Sequence, residues 1–160
     1  APLPITEKDF LEVCRRFLGK NELKELERLT LLPPRNPMKS SSPLIEEWNE
    51  GERNLRLALA KLRADKMKKS FALAEGYLSA ELLQTARTAV EFESPMEAEK
   101  FLNDYRLKFL ETLRPMDTFS KDSVFYYCLK LKLISRMRNF DNEGGKTAYK
   151  NIYNSVLNGD

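Results

Sequence analysis

Residues 43–69, PLIEEWNEGERNLRLALAKLRADKMKK, constrain this chain more than any other stretch, because they read as one long helix with two unlike faces. At about 100° per residue, Leu44, Trp48, Gly51, Leu55, Ala58, Leu59 and Leu62 fall on one side. Arg53, Arg56 and Arg63 line the other, with Ala60, Ala64 and Met67 among them. The first face requires a core to cover it. The second is too rich in arginine and too smooth for an ordinary solvated surface. Arg53, Arg56, Arg63 and Met67 are therefore the candidate partner-binding residues.

Such a helix needs others around it, and composition allows them. The 160 residues are 42% apolar and 32% charged, which suits one globular domain with a real core rather than a disordered segment. Only six glycines are present, too few for a loop-rich β architecture. A net charge of +3, from 27 basic and 24 acidic residues, does not by itself imply nucleic acid. The charges are uneven. Residues 53–69 carry seven basic side chains against Asp65 alone, whereas residues 91–99 carry four glutamates.

Cys14 and Cys128 lie far apart and histidine is absent, which excludes a Cys/His zinc site. Two buried, reduced thiols in a cytosolic protein are expected. No run of about 18 apolar residues could span a bilayer, and no signal-peptide pattern appears. A soluble, cytoplasmic chain is the expectation. It opens Ala1-Pro2-Leu3-Pro4 rather than on methionine, so either removal of an upstream piece or a shifted numbering is expected.

Caps and breakers set the helix boundaries. Thr6 reads as an N-cap, with Glu7 and Asp9 in the first turn. Phe10, Val13, Cys14 and Phe17 then repeat at helical steps, and Gly19 closes the helix. Asn21 is the expected cap of a second helix facing inward through Leu23, Leu26 and Leu29, making a helical hairpin over residues 1–29. Pro33, Pro34, Pro37 and a run of serines interrupt residues 30–43, the best linker candidate. Ser42-Pro43 restarts a helix. Another is expected from about Phe71 to Ala89, although Gly76 and Ser79 weaken its first half.

Ser94-Pro95-Met96-Glu97 reads as a capping box, followed by a stripe of Ala98, Phe101, Leu102, Tyr105, Phe109 and Leu113 that ends at Arg114-Pro115. Ser120 caps the next helix, with Phe119 at the staple position. Inside it, Leu129-Lys130-Leu131-Lys132-Leu133 alternates like a strand. No partner strand is in sight, and Val124, Cys128, Leu131 and Ser135 fit a helical seam. A turn at 142–145 and a last helix over 146–157, through Tyr149, Ile152 and Val156, complete the chain. The core should draw on Phe10, Phe17, Leu26, Trp48, Leu55, Leu62, Phe101, Tyr105, Phe109, Val124, Cys128 and Leu131.

No constellation spells out catalysis. Gly144-Gly145-Lys146-Thr147 imitates the end of a phosphate-binding loop, but Phe140 stands where the first glycine belongs and no strand leads in. Glu46/Glu50, Glu91/Glu93 and Glu97/Glu99 read as solvated pairs rather than acid–base partners. The serines have no histidine to activate them. No enzyme, catalytic residue, cofactor or metal is expected.

Three readings of the basic segment stay open. It can be a charged face on which Glu52 pairs with Arg56 at four-residue spacing. Its arginines can grip a protein partner's carboxylates. Or it can meet nucleic acid, helped by Lys130, Lys132, Arg136 and Arg138 on a second helix.

The runs Pro43-Leu44-Ile45-Glu46-Glu47-Trp48, Glu52-Arg53-Asn54-Leu55-Arg56, Ala58-Leu59 and Lys61-Leu62-Arg63-Ala64 resemble an uncharacterised bacterial family encoded beside V-type ATPase subunits. Asp9-Phe10-Leu11 to Cys14, Pro95-Met96-Glu97-Ala98-Glu99, Tyr105-Arg106-Leu107-Lys108-Phe109-Leu110 and residues 129–141 fit the same pattern, so the likeness spans most of the chain. These are helix-packing and arginine motifs, not catalytic ones. That family is in turn similar to the C/d-type adaptor of rotary ATPases, an all-helical protein between membrane ring and central shaft. The resemblance implies an accessory or rotor-adaptor role among V-type ATPase subunits, reached at the cytoplasmic membrane through a partner complex.

Two departures stand against it. The adaptor is larger and built from repeated units, and no convincing internal repeat is visible here. Family members also carry an aromatic-rich segment ahead of the position of Pro4, which these residues do not contain. The expected architecture is an all-α single domain over 1–160, an irregular bundle of about six or seven helices. Residues 44–160 form its main part.

Overall fold

Hydroxyl caps set most boundaries in the computed structural model, which describes residues 4–35, 39–73 and 76–158, and their side chains except at 145–149, 151 and 155. Thr6 Oγ1 accepts from the Asp9 N–H at 3.2 Å and opens α1 (Glu7–Phe17). α2 (Lys20–Arg28) follows almost at once. Its N-cap is Gly19, not Asn21, because the chain leaves α1 in extended geometry at Leu18 and restarts immediately, without a side-chain cap bond. Ser42 Oγ accepts from Ile45 N–H and starts α3 (Pro43–Lys66), with proline in the first turn. Ser79, Ser94 and Ser120 cap α4 (Ala80–Glu91), α5 (Pro95–Thr112) and α6 (Lys121–Leu157) in the same way. The fold is all-α, with six helices and no strand among the described residues. The alternating Leu129–Leu133 stretch lies inside α6.

Other expectations are corrected. Residues 67–73 and 76–79 stay outside any helix, since Gly76 takes a left-handed φ of 76° and Ser79 is held extended as the cap of α4. The expected turn at 142–145 is absent, and α6 runs through both glycines as a single helix of 37 residues. An interior glycine costs a helix only about 1 kcal/mol, and neither cap nor proline stops the hydrogen-bond ladder here. A Cβ at Gly144 would come within 2.7 Å of Met96 Sδ, so the glycine lets the start of α5 approach α6 closely.

Phe17, expected in the core, is 82% exposed, because α1 buries Cys14 and turns Phe17 outward. Phe119 is 98% exposed and packs as no staple. Ala64, placed on the outer face of α3, is buried where the chain folds back and Lys69 N–H donates to the Ala64 carbonyl at 2.8 Å. Pro37, the opening residues 1–3 and the side chain of Tyr149 lie outside the described residues.

α3 is the rod around which the core divides. Leu44, Ile45 and Trp48 join Cys14 and Leu26 of the N-terminal hairpin and Phe125 and Leu129 of α6. Further along, Leu55, Ala58 and Leu59 meet Ala86 of α4 and Leu102 of α5. Of the expected core, Leu26, Trp48, Leu55, Cys128 and Leu131 are buried, whereas Phe10, Leu62, Phe101, Tyr105, Phe109 and Val124 are half-buried. Between the two clusters Gly51 has no Cβ to collide with Phe109, whose ring stacks on Trp48 with centroids 6.0 Å apart.

The described residues between α2 and α3, 29–35 and 39–42, form a strap pinned at several points. Leu31 packs against the first cluster, and Trp48 Nε1 donates to the Leu31 carbonyl at 3.2 Å. At its far end Ser42 Oγ donates to Asp122 Oδ1 at 2.6 Å, tying the start of α3 to the start of α6.

Candidate functional site

The outer side of α3 is not a uniform stripe of free arginines. Arg53 is half-buried, and its Nη2 donates to the Pro34 carbonyl at 3.3 Å. Arg56 Nε lies 3.1 Å from Glu52 Oε1, the four-residue pair anticipated from spacing, so its guanidinium already has a partner within the chain. Arg63 is exposed and makes no ion pair among the described residues, and Met67 is 60% exposed one turn further on. The open part of the candidate site is therefore the C-terminal end of α3.

What holds this helix was not read from the sequence. Glu52 is 4% exposed, Asn103 1% and Arg106 6%. Arg106 donates from Nε to Glu52 Oε2 at 3.0 Å and from Nη2 to Glu52 Oε1 at 3.0 Å, a forked pair across α3 and α5. Its Nη1 donates to Asn103 Oδ1 at 3.0 Å and Glu99 Oε1 at 3.3 Å. Glu99 also accepts from Arg136 Nη2 of α6 at 2.9 Å. Glu99 is thus no member of a solvated Glu97/Glu99 pair, since two guanidinium groups converge on it. A signal existed: Arg106 lies four residues from both Leu102 and Leu110, in the middle of an apolar row.

The second basic cluster is also matched from within. Lys130 Nζ is 2.6 Å from Glu111 Oε1, Lys132 binds Glu7, and Arg136 binds Glu99. The hydrogen bond from Lys130 holds the Glu111 carboxyl below its usual range, and Glu111 in turn raises Lys130. Three of the four cations that favoured nucleic acid therefore face the protein's own acids.

Cys14 and Cys128 are free and buried. Burial pushes the Cys128 thiol from its ordinary 9.0 up to about 11, and burial raises Cys14 as well. Neither thiol is poised as a nucleophile at neutral pH. Native protein at pH 8 should leave both unmodified by iodoacetamide while denatured protein is alkylated twice, as read by mass spectrometry. The sign for stability follows. The folded state holds the Cys128 proton more tightly than the unfolded chain, so stability should fall as pH rises from 9.0 towards about 11.

These observations define a class, an all-α bundle whose α3 is locked by a buried ion-pair network and presents a basic, methionine-bearing end. Residues 70–160, more than half of the chain, match the family described as "Protein of unknown function (DUF2764)", and the chain belongs to that family. No curated protein and no solved structure matches it. The matched region contains Glu99, Arg106 and Arg136, whereas α3 precedes it.

Proposed function

We propose that this chain is a non-enzymatic assembly or rotor-adaptor subunit associated with a V-type ATPase, and that it meets a protein partner through the outer side of α3. The observation that carries the reading is the open pair Arg63 and Met67 on a helix anchored by the buried Glu52–Arg106 fork. Arg63 offers planar donors for a carboxylate, and Met67 an adaptable apolar contact. A pre-anchored helix loses little conformational freedom on docking. The resemblance of residues 43–64 to a family encoded beside ATPase subunits supplies the partner's name. No helix among the described residues is long and apolar enough to cross a membrane, and attachment at the membrane through the complex is part of the proposal.

The test spares Arg56, because a glutamate there would face buried Glu52. Arg63→Glu with Met67→Ser should leave helicity unchanged by circular dichroism. Recovery of V-type ATPase subunits on affinity purification should fall at least ~10-fold. Undiminished recovery removes this face from the function. The nucleic-acid alternative has less support, given the internal pairing of Lys130, Lys132 and Arg136.

A further inference from the structure

We propose that the cleft between α2 and the Pro/Ser strap binds an acidic peptide segment that carries an apolar side chain. The cleft is open to solvent and has a volume of about 440 Å³, within the size range of ligand-binding clefts. Its lining divides by chemistry. Leu29, Leu32, Pro34 and Ile45 supply apolar surface, and Lys24, Arg28 and Lys39 supply positive charge. Those three cations are exposed and take part in no ion pair among the described residues.

One carboxylate lines the cleft, that of Glu25, and its lone pairs are already engaged. Ser40 Oγ donates to Glu25 Oε1, and Ser41 Oγ donates to Oε2 at 2.7 Å. Partial burial pushes this carboxyl up, but the serine donors and nearby Lys121 outweigh it and hold Glu25 below the usual carboxylate range. The acid thus fastens the strap through hydroxyl donors, and the cleft keeps three cations against this one carboxylate.

The occupant follows from that division. A bare inorganic anion would satisfy the rim and leave the apolar surface wet. A single-stranded nucleic acid would want aromatic stacking platforms, and no aromatic side chain among the described residues lines the cleft. An aspartate- or glutamate-rich segment with one leucine-sized side chain satisfies both parts. The cleft also borders the N-terminal half of α3, the helix proposed to meet the partner. Asn49 lines it one helical turn before Arg53, and Arg53 donates to the carbonyl of Pro34, another lining residue. The proposal rests on the partner-binding reading only for the identity of the protein that carries the segment.

The probe is a fluorescein-labelled peptide with a central leucine flanked on each side by glutamates, titrated with the full chain by anisotropy. Saturable binding is expected. It should weaken at least ~10-fold for Lys24→Glu with Arg28→Glu, and comparably when the peptide's leucine becomes serine. Both replaced side chains are exposed, and circular dichroism verifies that the fold is kept. Absence of saturable binding, equal affinity for the charge-reversed variant, or full displacement by millimolar inorganic phosphate each overturns the proposal. The Arg63→Glu/Met67→Ser variant should bind the peptide as wild type does, and loss of binding there would move the site off the cleft. Lost ATPase recovery in that variant without any peptide binding defeats the cleft alone. Retained peptide binding with undiminished recovery defeats the α3 face alone.

Discussion

Replacing Arg106 with alanine should destabilise the bundle by about 3 kcal/mol or more. Arg106 is 6% exposed and places two donors on Glu52, itself 4% exposed. Truncating the arginine leaves a carboxylate in an apolar setting, flanked by Trp48 and Leu55 on its own helix. Arg56 still touches Glu52 from a side chain 47% exposed, which keeps the loss near the lower end of the range for a broken buried pair. Asn103 and Glu99 lose a donor in the same step. Urea unfolding followed by circular dichroism measures the effect. Replacing Glu52 and Arg106 together with methionine should restore most of the stability, because no charge is then stranded. A loss below about 1 kcal/mol for the alanine variant would mean that Glu52 is solvated on opening and that the fork does not anchor α3.

That fork marks where sequence reading stops. The starts of α1, α3, α5 and α6 were legible because a single hydroxyl residue, Thr6, Ser42, Ser94 or Ser120, accepts a backbone N–H three residues on. The Glu52–Arg56 pair was legible for the same reason of short range. Glu52 and Arg106, by contrast, are 54 positions apart, and no local pattern names that partner. Glycine behaved similarly. Gly76 breaks the chain while Gly144 and Gly145 sit within α6, because the outcome depends on what packs nearby, as Met96 does against Gly144.

Arg63 and Met67 lie exposed on α3, as helical spacing places them, whereas Arg53 and Arg56 have partners within the chain. A helical wheel cannot show a carbonyl such as that of Pro34 arriving from another segment. The cleft was invisible altogether. It exists only once the strap folds back over α2 through Ser40 and Ser41, and in the sequence that segment reads merely as an interruption of helix.

Trp48 holds both the core and the strap, and two substitutions separate these duties. Trp48→Ala should lower stability by about 3–5 kcal/mol, the usual range for deleting a buried aromatic side chain. The indole is 1% exposed and stacks on Phe109, which itself occupies the space left by Gly51. Trp48→Phe keeps most of the apolar volume and removes the hydrogen bond to the Leu31 carbonyl, so its expected loss is only about 1 kcal/mol. Hydrogen exchange provides the second readout. In the phenylalanine variant, protection should fall around residues 29–32 and hold around Ser42, whose hydroxyl stays anchored on Asp122 and whose amide stays bound to Ser40. Equal losses for the two variants would place the tryptophan's contribution in the hydrogen bond rather than in packing. The strap, and with it one wall of the cleft, would then depend on a single indole N–H.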